Sequence, residues 1–122
     1  MTVFDPSTLH QLVDDAEGRP FLLELAGTYR RMLMPRVERV VTAVVTSDYD
    51  EAMDAVLSLK VSATMTGTRE LAELASYIEV DIRSGDLPAA RSQAMMLPAA
   101  AQRAQEAIAS YLAMSAAPSI PA

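Results

Sequence analysis

The 122-residue chain contains no cysteine and no tryptophan, and it has a single histidine. The absence of cysteine excludes disulfides, thiolate metal sites and cysteine nucleophiles. Aromatic residues make up only 5% of the chain, whereas hydrophobic residues make up 51%. The core must therefore be built from leucine, valine, alanine, methionine and isoleucine, a composition that favours packed helices.

Positive charge is also scarce, because 16 acidic residues against 10 basic ones give a formal net charge of −6 at pH 7. This excess of negative charge opposes binding to nucleic-acid phosphates and to anionic membranes. No segment reaches the roughly 20 apolar residues that a membrane span needs. The N-terminal sequence MTVFDPST lacks the basic and apolar stretches of a leader peptide. We therefore predict a cytoplasmic protein with a protein partner, and neither nucleic acid nor a membrane as a ligand.

The first half of the chain predicts a short helix followed by a long one. Asp5-Pro6 has the sequence of a helix start, and the first helix should end near Glu17-Gly18, with Leu9, Leu12 and Val13 pointing inward. The second helix starts around Pro20 and should bend, without breaking, at Pro35. Its predicted buried stripe comprises Leu22, Leu25, Tyr29, Met32, Val37, Val40 and Val44.

The second half predicts three further helical segments separated by glycine stops. Ser47 should cap the third helix, with Asp50 reaching back to it, and Gly67 should end that helix. The fourth helix should end at Gly85, and a fifth segment, kinked at Pro98, should run from Leu87 to about residue 113. The apolar residues predicted to be buried in helices three and four are Ala52, Val56, Leu59, Ala63 and Thr66, then Leu71, Leu74, Ala75, Ile78 and Ile82.

No strand pattern competes with these helices, so the chain predicts an all-α fold. Short loops between long amphipathic helices favour an antiparallel four-helix bundle with a short N-terminal capping helix. We expect this bundle to occupy residues 1–113 and residues 114–122 to form a disordered C-terminal tail.

The segment from Val56 to Gly67 resembles the acceptor helix of histidine-containing phosphotransfer domains, which reads Ala-His-x-Leu-Lys-Gly-x-Ser and then Gly. Leu59, Lys60 and Gly67 match that pattern, whereas Leu57 falls on the phosphorylated histidine and Val61 on the glycine. Flanking matches extend the resemblance over nearly the whole chain up to residue 113: Phe4-Asp5-Pro6, Pro35, Leu71, Leu74, Ile78, Glu79 and Gly85-Asp86.

The resemblance implies a role in a two-component phosphorelay, in which such domains carry a phosphoryl group between receiver aspartates on an imidazole nitrogen. Leucine has no such atom, and Val61 adds a branched side chain where a receiver must approach closely. We therefore predict a non-catalytic module, not an enzyme, that binds a receiver domain or a histidine kinase. Helical spacing places the predicted partner-binding residues on one face, here named the docking face: Met53, Leu57, Lys60, Val61 and Thr64.

Two other functions stay open at this point. His10 is the remaining nitrogen nucleophile that could accept phosphate, and the bundle could instead be a structural or oligomerisation unit that uses the face of Leu57 and Val61. The acidic clusters lie at predicted helix ends, where caps explain them, so we expect neither a metal site nor a cofactor. We expect most methionines, including Met32, Met65, Met95 and Met96, to fill gaps in the core.

Overall fold

The computed structural model describes residues 2–11 and 18–116, and this part of the chain is all-helical with no strand. The all-α prediction is therefore confirmed. The described residues form six helices: α1 (Pro6–His10), α2 (Arg19–Val45), α3 (Tyr49–Thr66), α4 (Arg69–Ser84), α5 (Leu87–Ala94) and α6 (Leu97–Ala116).

Helix α2 is continuous through Pro35, as predicted. Its buried stripe, however, differs from the predicted one near the middle of the helix. Leu33 is fully buried there, whereas Met32 is exposed and Leu25 is half-buried. The observed stripe keeps steps of three and four residues throughout, which is the spacing that holds one face of a helix against a core. Its members are Leu22, Ala26, Tyr29, Leu33, Val37, Val40, Ala43 and Val44.

The predicted cap of α3 is wrong by one residue. Ser47 has a φ of 60°, and its hydroxyl accepts a hydrogen bond from Arg91. The N-cap is Asp48, whose side chain accepts from the backbone N–H of Glu51. All five residues of the predicted α3 stripe are buried. At the other end Gly67 takes the left-handed conformation and stops the helix, as predicted.

The segment predicted as one kinked helix is divided into two. Gly85 ends α4 in the left-handed conformation, and the Asp86 side chain caps α5. Helix α5 stops at Ala94, and α6 begins two residues later with Pro98 at its second position, where a proline lacks no hydrogen bond. Helix α6 continues to Ala116, so the start of the predicted tail is helical, and residues 117–122 lie outside the described residues.

The N-terminal helix α1 packs against α3 at its Gly67 end. Asp5 caps α1 by accepting from the Ser7 N–H, and its own N–H donates to the Gly67 carbonyl over 2.8 Å. Leu9 is buried as predicted. Helix α1 ends at His10, and the predicted inward positions of Leu12 and Val13 lie outside the described residues, as does Glu17.

The core is dominated by leucine, valine and alanine, and the methionine prediction is wrong. Met32, Met65, Met95 and Met96 are all exposed. Alanines line many of the helix contacts, so the helices approach closely and leave few gaps for long side chains. Met34 and Met53 pack against the edge of this core instead.

The helices pack around a shared core. Helix α3 contacts α2 on one side and α4 on the other, and α6 contacts α2 and α4. Only one face of α3 therefore enters the core, and the opposite face is open to solvent.

Candidate partner-binding site

The docking face lies on the outer side of α3 and extends toward α4. Met53, Leu57 and Lys60 are half-buried, and Val61 and Thr64 are exposed. Met53 also packs against the core. The structure thus brings all five predicted residues onto one surface of one helix, as their spacing implied.

Helix α3 holds this face in place through its opposite side. Leu59, which precedes Lys60, is completely buried, and so are Val56 and Ala63, one turn away in either direction. The deep burial of these neighbours fixes the rotation of α3 about its axis. Leu57 therefore cannot point into the centre of the core, although Val56 and Leu59 lie there.

Val61 is the most prominent apolar group of the docking face, with 58% of its surface exposed. Its branched side chain stands one helical turn from Leu57, at the position where the resemblance implies glycine. Any partner that approaches Leu57 along this face must therefore accommodate Val61. The two residues together form an apolar surface with no reactive atom.

Lys60 is engaged within the chain. Its Nζ lies 3.1 Å from Glu79 Oε1 on α4, and Arg83 Nε lies 3.1 Å from the other carboxylate oxygen, Oε2. The hydrogen bond from Lys60, and then the charges of Lys60 and Arg83, hold the pKa of Glu79 below its ordinary value, although desolvation opposes this. The ammonium charge of Lys60 is thus already paired with a carboxylate, which it shares with Arg83.

Thr64 carries the only hydroxyl of the docking face. Its Oγ1 donates to the Lys60 carbonyl over 2.8 Å, a bond within its own helix. The docking face therefore offers no free nucleophile, and its arrangement suits binding better than group transfer.

His10 lies away from the docking face. It ends α1, is exposed, and its Nε2 is 2.9 Å from the hydroxyl of Tyr111 on α6. Helix α1 contacts α3 near Gly67, and Leu57 lies ten residues earlier, about 15 Å along the helix axis. The structure does not bring His10 and Leu57 together.

Two features of the surface were not predicted as functional. The Lys60–Glu79–Arg83 cluster was missed because the partners lie on different helices, and the i, i+4 spacing of Glu79 and Arg83 was its only local signal. An apolar groove between α2 and α3, which contains Met32 and Met65, was missed because these methionines were assigned to the core.

The acidic side chains and the helices were also candidates for metal binding and for membrane insertion. Across residues 2–11 and 18–116, no group of three or more histidine or acidic side chains is placed to hold a metal ion. Among the helices of these residues, none combines the length and the apolar composition of a membrane span.

The chain was compared with models of protein families, with curated proteins and with solved structures. No family model, no curated protein and no solved structure matches it.

Proposed function

We propose that this chain is an antiparallel four-helix bundle of the histidine phosphotransfer type that has lost its phosphoryl acceptor. In this proposal it acts in the cytoplasm as a non-catalytic component of a two-component phosphorelay. Its docking face binds a receiver domain or a histidine kinase. The residues from Val56 to Gly67, with the matches that flank them, are the basis of this proposal.

The position of Leu57 is the observation that carries the proposal. Leu57 is half-buried on the outer side of α3, one turn from the exposed Val61 and beside Lys60. An acceptor histidine at this position would present its ring to an approaching receiver. Leucine there retains an apolar contact surface but supplies no atom that can carry a phosphoryl group.

The pairing of Lys60 supports binding over transfer. A lysine near a phosphoryl group stabilises it as a point charge. Here the Lys60 ammonium is bonded to Glu79, so it can remain at this position without a phosphoryl group. Apolar contact through Leu57 and Val61 then supplies most of the binding energy of the docking face.

The hydrogen bond of His10 weighs against its use as the acceptor. Its Nε2 is bonded to Tyr111, and α1 lies at the far end of α3 from the centre of the docking face. A receiver that docks over Leu57 would have to reach about 15 Å further to transfer phosphate to this ring.

The first test is phosphotransfer. The purified protein, mixed with phosphorylated receiver domains or with an active histidine kinase and labelled ATP, is expected to take up no acid-labile phosphate. Stable labelling would contradict the non-catalytic role. Loss of that label in His10→Gln would identify His10 as the acceptor.

The second test is binding, with two valines as a matched pair. Val61 on the docking face and Val80 on α4 are 58% and 59% exposed, so replacement of either by glutamate should disturb folding equally little. We expect Val61→Glu to abolish binding to a receiver or kinase in calorimetry, and Val80→Glu to preserve it. If no receiver or kinase binds and the wild-type chain self-associates through Val61, the face is an oligomerisation surface instead.

A further inference from the structure

A second surface lies on the other flank of α3, in a groove between α2 and α3. The groove, here named the α2–α3 groove, has a volume of about 200 Å³. It is lined by Leu25, Thr28, Tyr29, Met32, Arg36, Ser62, Met65 and Thr66. It is separate from the five residues of the docking face, although Met65 follows Val61 by one helical turn.

We propose that the α2–α3 groove binds a segment of a partner protein that inserts one large apolar side chain between Met32 and Met65 and places a single carboxylate on Arg36. This site does not depend on the proposed function, because none of its lining residues belongs to the docking face and no receiver is required.

The apolar part of the proposal rests on two methionines. Met32 on α2 and Met65 on α3 are 44% and 54% exposed, and they stand on the two walls of the same groove. Exposed methionines on facing helices form a soft and adaptable wall that can close around an inserted side chain. The groove floor beside them includes Tyr29, whose hydroxyl is already bonded to Thr68 over 2.8 Å.

The carboxylate of the proposed partner is inferred from Arg36. Three basic side chains in the described part of the chain are half-buried: Arg30, Arg36 and Lys60. Arg30 donates to the Gln105 carbonyl, and Lys60 donates to Glu79. Arg36 has neither a hydrogen bond nor an ion pair among the described residues, so its guanidinium at the edge of the groove can pair with an acceptor from a partner. A carboxylate would supply two acceptor oxygens in the geometry that a guanidinium prefers.

The net charge of −6 restricts how acidic the partner segment can be. A run of acidic residues would be repelled by the protein as a whole, whereas one carboxylate aligned with one guanidinium gains a short-range bond at little long-range cost. The groove therefore favours a largely apolar segment with a single acidic residue.

The volume of the groove and the separation of Met32 from Arg36 also indicate which kind of ligand fits. Small-molecule sites usually enclose about 300–1,000 Å³, so about 200 Å³ accommodates one large side chain better than a cofactor. Met32 and Arg36 are four residues apart, which is about 6 Å along α2. The apolar anchor and the carboxylate of the partner should therefore be separated by one helical turn, or by two residues in an extended segment.

The test selects peptides on the intact, immobilised protein from a display library of random 12-residue sequences. We expect enrichment of sequences that carry a large apolar residue and one aspartate or glutamate at this spacing. The most enriched peptide is then synthesised, and its affinity for protein variants is measured by fluorescence anisotropy.

The variants form matched pairs. Arg36→Gln is expected to weaken binding about tenfold or more, as loss of a hydrogen bond between charged groups does, and Arg36→Lys should recover part of it. Arg91→Gln on α5 removes an exposed arginine outside the groove and should change affinity less than twofold. Met65→Gln should weaken binding, and Met95→Gln should not. Circular dichroism verifies that each variant is folded.

Three results would overturn the proposal: no enriched sequence, enriched sequences without an acidic residue, or affinity that is insensitive to Arg36→Gln. Saturable binding of decanoate in competition with the peptide would assign the groove to a small amphiphile, and self-association lost in Met65→Gln would assign it to a second copy of the chain. Either outcome replaces the proposed occupant. None of these measurements uses a receiver or kinase, so their failure is distinguishable from failure of the docking-face proposal.

Discussion

Truncation of two neighbouring leucines tests the rotation of α3, on which the docking face depends. Leu59 is completely buried in the core, whereas Leu57, two residues earlier, is half-buried on the outer side. Leu59→Ala removes apolar carbons from water-free surroundings and leaves a cavity, so we expect its unfolding free energy to fall by about 2 to 5 kcal/mol. Leu57→Ala leaves a depression that water can fill, and we expect a loss of about 1 kcal/mol.

The assay is urea unfolding followed by far-ultraviolet circular dichroism. With a denaturant slope of about 1–3 kcal/mol/M, the Leu59→Ala midpoint should fall by roughly 1 M or more at an unchanged slope. The Leu57→Ala midpoint should move by a fraction of that amount. If both variants lose several kcal/mol, Leu57 is a core residue, α3 is rotated from its described position, and the docking face is not a surface.

Three further predictions concern other parts of the structure. Gly67 and Gly85 both have positive φ, but an added Cβ meets the N-terminal segment only at Gly67. In thermal unfolding, Gly85→Ala should therefore lower the stability by about 1 to 2 kcal/mol, and Gly67→Ala should lower it clearly more. Equal losses would refute the close packing of α1. Because the folded-state pKa of Glu79 lies below its ordinary value of 4.5, this residue adds stability that is present above that pH and is lost as the pH falls through the folded-state pKa. Unfolding of Glu79→Gln should then depend less on pH between about 5 and 3 than that of the wild type, and an unchanged profile would mean that the cluster does not form. On the basis of the proposed function, Leu57→His should restore little transfer of labelled phosphate from a receiver, and Leu57→His with Val61→Gly should restore more; full activity of the single variant would remove the steric role of Val61.

The helix ends could be predicted where a single residue determines the backbone conformation. Gly67 and Gly85 stop α3 and α4 because a left-handed residue is easiest for glycine. The junction of α2 and α3 was harder, since Ser47 and Asp48 are both good caps. The structure uses Ser47 in a left-handed conformation to end α2, so the capping of α3 is left to Asp48. Which of the two residues caps α3 depends on how α2 and α3 pack, and the local sequence around Ser47 and Asp48 contains no information on that packing.

The buried faces of α3 and α4 were predictable from their spacing, except that Ile82 is half-buried, and the buried face of α2 was not predictable where methionine competes with leucine. The α3 stripe was predicted correctly from its steps of four and three. In α2, Met32 and Leu33 are adjacent and similarly hydrophobic, and only the phase of the whole stripe places Leu33 inside. The α2–α3 groove was not predicted for the same reason: Met32 and Met65 were assigned to the core and so were not considered as surface residues.

Sequence spacing does not reveal which cations of the two candidate sites form ion pairs with another helix. Lys60 and Arg36 are both half-buried cations near α3, and of the two the resemblance implies a role only for Lys60. The fold gives Lys60 a carboxylate from α4 and gives Arg36 none among the described residues. A cation whose charge is balanced inside the chain contributes little to a new partner, whereas one that lacks an acceptor gains a bond when a partner supplies it. The docking face should therefore select its partner by apolar shape, and the α2–α3 groove should select its partner by the position of one carboxylate.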